Sequence, residues 1–166
     1  RRSAVVHFNR FRPVKEIAQA DADSAVTESN EDNNTTASSA FTIGPDLIVL
    51  LLTAPSTLTP GSTISVVDIT NNQGGGSASA STTKFYLSTD TTLSAEDVLL
   101  GGRAVPSLPA GNASSASTAL AIPAGLTGGT YYFIAKANAD DAVVEADGNN
   151  NTASSTPINV GPDLIV

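Results

Sequence analysis

A 33-residue stretch of this chain occurs twice. Residues 17–49, IAQADADSAVTESNEDNNTTASSAFTIGPDLIV, align without a gap on residues 134–166, IAKANADDAVVEADGNNNTASSTPINVGPDLIV. Eighteen of the 33 positions are identical, including all six of GPDLIV. Agreement over that length marks an internal repeat, here with a period of 117 residues. A period of this size is too long for a solenoid turn and fits whole domains in series. Residues 17–43 then form the C-terminal part of one repeat, 44–160 a complete unit, and 161–166 the first strand of a following one. The chain does not begin with Met and shows no signal peptide, so it reads as a mature piece or fragment of something longer. Residues 1–16, RRSAVVHFNRFRPVKE, do not match the equivalent part of the unit and form an anomalous basic segment.

Within the unit, strand signals recur at regular spacing with turn residues between them. DLIVLLLTA (46–54) is the first. STISVVDIT (62–70) alternates Ile64, Val66 and Asp68 against Ser65, Val67 and Ile69. STTKFYLST (81–89) sets Thr83, Phe85 and Leu87 on one face, with Thr82, Lys84 and Tyr86 on a wetter one. VLLGGRAVPSL (98–108), SASTALAIP (115–123), GTYYFIAKANA (129–139) and NTASSTPINV (151–160) complete the set. Only LSAED (93–97) offers a helical turn. The expected fold is all-β: a seven-stranded antiparallel Ig-like or fibronectin-III-like sandwich, repeated every 117 residues or so.

The order of these segments resembles the CARDB domain, a cell-adhesion-related module of bacteria. The matching pieces are Pro45–Leu47, Thr59–Val66, Phe85–Asp90, Leu99–Gly101, Ile122–Gly125, Gly129–Ala139 and Val143–Asn151. The resemblance implies an Ig-like sandwich, tandem copies and a prokaryotic surface or secreted protein. It implies no enzymatic activity. One departure is the first strand, which is apolar on both faces. With Leu47, Val49 and Leu51 inward, Ile48, Leu50 and Leu52 face out and call for a cover.

Charge and composition exclude several functions. Residues 16–166 hold three basic and sixteen acidic groups, a balance of −13 that repels nucleic acid. No run is long enough to cross a bilayer. There is no Cys, and the only His is His7, in the basic segment, so a nucleophile–base pair has little to rest on. The GGG at 74–76 belongs to a turn and not to a phosphate-binding loop.

What remains is hard-oxygen and amide chemistry. Asp23, Glu28 and Asp32 in one hairpin, Asp140, Asp141, Glu145 and Asp147 in its equivalent, and Asp90, Glu96 and Asp97 elsewhere are candidate Ca²⁺ ligands. None fits the twelve-residue EF-hand pattern, and the plainer role of such tips is a solvated loop closed by Asx turns. The recurring Glu-…-Asn-Asn element (Glu28, Asn33, Asn34; Glu145, Asn150, Asn151) reads as a hydrogen-bonded brace. Asn33, Asn34, Asn112 and Asn150 each stand in Asn-x-Ser/Thr and are candidate glycan acceptors.

The expected function is a non-catalytic extracellular fibre, filament or surface stalk of CARDB-like domains. Its partners are copies of itself, meeting through Gly44, Pro45, Ile48, Leu50, Leu52, Gly161, Pro162, Leu164, Ile165 and Val166. If the subunits are separate chains, 161–166 pairs by strand addition with a neighbour's 1–43. The alternative is an accessory module of a secreted enzyme or adhesin that binds a glycan or protein. Against it, Tyr86, Tyr131 and Tyr132 all lie within strands and not at loop tips.

Overall fold

The computed structural model describes residues 14–40 and 43–161. His7, most of the basic segment, and Pro162, Leu164, Ile165 and Val166 lie outside them. The described residues form strands and turns only, with no helix. LSAED at 93–97 is turn running into strand. No helix is long and apolar enough to cross a membrane among them.

The first two strands stand apart from the rest. β1 (Ile17–Gln19) and β2 (Thr35–Ala37) form a two-stranded antiparallel sheet of their own. The remaining nine are β3 (Leu47–Thr53), β4 (Thr57–Leu58), β5 (Thr63–Asn72), β6 (Ser81–Ser88), β7 (Val98–Val105), β8 (Ala113–Ala121), β9 (Gly129–Lys136), β10 (Thr152–Ser154) and β11 (Ile158–Val160). One sheet runs β3-β5-β8. The other runs β4-β11-β9-β6-β7, with β10 also on β9.

All seven expected strand segments are present, but 44–160 carries nine strands. The last segment breaks where Pro157 removes a ladder donor. Its first half, β10, pairs with the C-terminal half of β9, and β11 pairs with the N-terminal half. The extra strand, β4, joins β11 in parallel, Asn159 beside Thr57, so the ladders are not antiparallel throughout.

The core lies between the two larger sheets. The three-stranded sheet supplies Leu47, Val49, Val66 and Leu120, and the other supplies Phe85, Leu87, Val105, Phe133, Ala135 and Ile158. Strand alternation on β5 and β6 follows the expected phases. On β3 it does not. The register slips between Val49 and Leu51, leaving Leu50 as a bulge. A bulge turns the side chains after it to the opposite face. Leu51 therefore lies outward beside Ile69, while Leu52 pairs with Asp68 and packs against the core. Leu52 is half-buried against the core and not the outward contact expected of it. Leu50, Leu51 and Val67 remain exposed on the outer face.

A polar pair crosses the core between the sheets. Asp68 on β5 is fully buried, and Arg103 on β7 meets it through two 2.7 Å hydrogen bonds, Nε to Oδ1 and Nη2 to Oδ2. Arg103 also donates to the Ser114 carbonyl and side chain on β8. Thr70 and Thr83 complete the cluster at 2.7 Å across the interior. One guanidinium thus ties β5, β7 and β8 together, with its charge and fork both matched.

Candidate functional site

The most heavily built polar site is at the start of β3. Gly44 has φ of 121°, a conformation open to glycine, and turns the chain into Pro45. The Gly74–Gly76 loop seats this turn. A Cβ on Gly74 would lie 2.3 Å from the Gly44 carbonyl, and one on Gly76 would lie 2.9 Å from Gly44. Any side chain there would push the turn out.

Four side chains then grip the strand head. Asn72 Oδ1 accepts from the Asp46 N–H at 3.0 Å, while its amide donates to the carbonyls of Gly76 and Leu108. Gln73 donates to Asp46 Oδ2 at 2.9 Å, and Asn150 to Oδ1 at 3.0 Å. Glu145 Oε2 accepts the Leu47 N–H, and Oε1 accepts from the amides of Asn138 and Asn151. The Ala146 N–H donates to the Pro45 carbonyl at 2.8 Å. Glu145 and Asn150 thus act as a brace: a carboxylate for a backbone N–H, an amide for a carboxylate.

The hairpin that carries this brace has a twin. β9 and β10 pair Ile134 with Ser154 and Lys136 with Thr152. β1 and β2 pair Ile17 with Ala37 and Gln19 with Thr35, the same register 117 residues earlier. Left-handed backbone recurs at the same offset: Asp21 (φ 42°) with Asn138 (48°), Ser24 (49°) with Asp141 (52°), and Gly44 (121°) with Gly161 (126°). Asn and Asp tolerate this conformation because their short side chains bond the local backbone. Hydrogen bonds recur as well. The Ala20 N–H reaches the Asn34 carbonyl as Ala137 reaches Asn151, and the Val26 N–H reaches Asp21 as Val143 reaches Asn138.

The other sequence candidates are spread out. Asp23, Glu28, Asp32, Asp141 and Asp147 are exposed. Asp140 accepts from the Thr82 hydroxyl at 2.8 Å, a bond that holds its carboxyl below the usual carboxylate value. Asp90, Asp97 and Asp147 accept N–H groups of their own loops, as Asx-type turns do. Asp90, Glu96 and Asp97 also line a cleft of about 280 Å³ with Ser88, Leu126 and Tyr131. Among the described residues no three acidic side chains form a group that could hold a metal ion. Asn33 and Asn112 are exposed and Asn34 half-buried, whereas the Asn150 amide is already engaged with Asp46. Gly44 is buried, Pro45 and Ile48 are half-buried and Gly161 is exposed. Lys84 and Lys136 face each other across β6 and β9. On the same face, burial holds the Tyr86 hydroxyl above its usual pKa.

Sequence reasoning missed Asn72, Gln73, Asp46, and the Asp68–Arg103 pair. The signal for Asp68 was present: an acid on the inward phase of an apolar strand requires a cation, and few cations exist in the unit.

The site and fold define an all-β module of stacked sheets whose first strand is locked by polar side chains. The chain belongs to the CARDB family, whose family model matches residues 44–155. No curated protein sequence matches it. Among solved structures, it is similar to the CARDB domain of the PF1109 protein from Pyrococcus furiosus, described in complex with di-metal ions. The TM-score is 0.53 and the identity 20%, covering 71% of this chain and 90% of that one. It is also similar to a domain of a protein named for the cell surface, from Methanosarcina acetivorans. There the TM-score is 0.53 and the identity 20%, covering 73% and 96%. These likenesses carry the fold.

Proposed function

We propose that this chain is a non-catalytic part of an extracellular surface stalk or fibre in which CARDB sandwiches follow one another every 117 residues or so. Residues 17–43 are the end of one sandwich, 44–160 a complete Ig-like unit, and 161–166 the head of the next. The observation that carries this reading is the twin hairpin. Register, left-handed positions and hydrogen bonds all recur at the repeat spacing. Its role is mechanical: each head strand is locked by a carboxylate and amides, so neighbouring units are joined by a stiff, defined turn.

The intact mass of native material, after boiling in strong denaturant, tests it. Masses that step by the 117-residue period support the array. A surface protein whose masses bear no relation to that period would sink it.

A second reading has one observation in its favour. The cleft between Asp90, Asp97, Leu126 and Tyr131 has the polar and aromatic lining of a small glycan site. Binding of a surface glycan that Tyr131→Ala abolishes would support a recognition role. Calorimetry that finds no heat with any cell-wall glycan fraction would remove it.

A further inference from the structure

A strand turns its N–H and C=O groups to its two sides in alternation, so an edge strand leaves every second residue unpaired. β8 is such an edge: among the described residues it pairs with β5 and with no other strand. The Asn112 carbonyl accepts from the Asn72 N–H, and the Ile122 N–H donates to the Ser62 carbonyl. Both ends are in one phase, and the nine register positions between them run without a slip. Residues 114, 116, 118 and 120 therefore bond β5, while Ala113, Ser115, Ser117, Ala119 and Ala121 turn N–H and C=O to the free side. All five are exposed. The hydrogen bonds that reach β8 from β7 come from Arg103 and end on Ser114, a residue of the other set.

A free edge is commonly blunted by a bulge, a charge, a proline or a short strand. Elsewhere the unit uses these devices. β3 carries the Leu50 bulge, β4 is two residues long, and β7 slips register opposite Phe85 and Tyr86 and holds two glycines and Arg103. β8 has none of them: ASSASTALA is nine residues without a charge, proline or glycine. It lies in a run, 104–135, that holds no charged residue, in a chain whose residues 16–166 carry −13. Two copies repel where their acidic loops approach, and this edge is a place where they meet without that cost. β8 and its whole sheet lie inside the family-matched 44–155, so the free edge is a feature of the unit itself.

We propose that the free edge of β8 binds β8 of a second copy of this chain, antiparallel, about a two-fold axis at Ser117. Across that axis Ser117 stands opposite itself, Ser115 opposite Ala119, and Ala113 opposite Ala121. Each unpaired N–H then meets an unpaired C=O of the other copy. A two-fold joint requires a strand that complements itself, and β8 does. On its other face, Ser114 stands opposite Leu120 and Ala116 opposite Thr118. No charge meets a charge, and the one large side chain meets a serine. The two three-stranded sheets become a single sheet of order β3-β5-β8-β8-β5-β3. The joint is lateral. It goes beyond the reading of units in series and does not depend on it.

The test is sedimentation of the full chain over a concentration series, joined to single-cysteine variants, which a sequence without Cys allows. A monomer–dimer equilibrium is expected. Ser117→Pro removes an N–H that points away from β5, so it spares the unit's own ladder and strikes the centre of the joint in both copies. It should weaken association about tenfold or more. Ser117→Cys should oxidise to a covalent dimer, because hydrogen-bonded partners of an antiparallel pair stand about 5.5 Å apart at Cα, within disulfide reach. Ser115→Cys should link to Ala119→Cys in a mixture and far more slowly to itself. An unchanged amide NMR spectrum away from β8 shows that a variant keeps the fold. If Ser117→Pro disturbs it, the cysteine pattern decides. A wild type that stays monomeric up to the millimolar range, a folded Ser117→Pro chain that dimerises as wild type does, or Ser115→Cys linking to itself as fast as Ser117→Cys would each overturn the joint. The mass-step test is made in denaturant and reads none of these, so the two ideas fail separately.

Discussion

The hairpins at 17–37 and 134–154 share register, turn conformations and loop hydrogen bonds, yet their surroundings are opposite. Ile17 is 73% exposed and Ile134 is 1% exposed. The lesson is about the range of each force. Turn chemistry is local: an Asp or Asn in left-handed backbone and an Asx-type bond to the loop need only a few residues. Burial is not local, and the same side chains stay wet unless other strands cover them.

The largest expected effect lies on the unit side of that comparison. Asp68→Ala leaves the Arg103 guanidinium buried without its partner and should lower unfolding free energy by about 3–5 kcal/mol, read by denaturant titration of the 44–160 transition. Replacing both with apolar residues of similar volume should recover most of the loss. If Asp68→Ala alone were neutral, the cross-sheet tie would be ornamental. Next comes the direct contrast. Ile134→Ala should cost about 2–5 kcal/mol, and Ile17→Ala less than about 0.5 kcal/mol. Equal costs would mean that the first hairpin is covered after all.

The brace gives a smaller difference. Glu145→Gln replaces a charged acceptor at the β3 head and should cost about 1–3 kcal/mol. Glu28→Gln should leave the thermal transition of an isolated chain unchanged, as scanning calorimetry would show. The smallest effect is electrostatic. The Thr82 hydroxyl holds Asp140 below its ordinary value, whereas its counterpart Asp23 makes no such bond among the described residues. A lowered carboxylate stabilises the fold at pH above its ordinary value, and that contribution is lost as pH falls through the lowered one. Carboxyl NMR should therefore show Thr82→Val moving the Asp140 midpoint upward. An unmoved midpoint would assign the shift elsewhere.

Much of the fold was legible before any coordinates. Alternation on 62–70 and 81–89 sorted each strand's residues onto its two faces, and the 117-residue echo located the twin hairpins. The brace was half legible: Glu145, Asn150 and Asn151 stood out as a recurring element, but not what they held. Asp46, Asn72 and Gln73 gave no signal, because their meeting joins positions far apart in the chain. The acidic tips looked like cation ligands, yet most of the carboxylates with partners bond N–H or hydroxyl groups of their own loops or of neighbouring strands.

The residues alone determined where strands begin and turn, which faces alternate, and that one hairpin design is used twice. These follow from side-chain period, proline, glycine and short Asx contacts, all of which act within a few residues. Only the tertiary structure decided the rest. A bulge at Leu50 sent Leu52 inward, against a phase the strand could have kept. Arg103 crossed the interior to Asp68, because a buried charge must find its partner wherever the chain folds one close. And whether a hairpin is core or surface was settled by what packs on it, since burial belongs to neighbours and not to the segment that is buried.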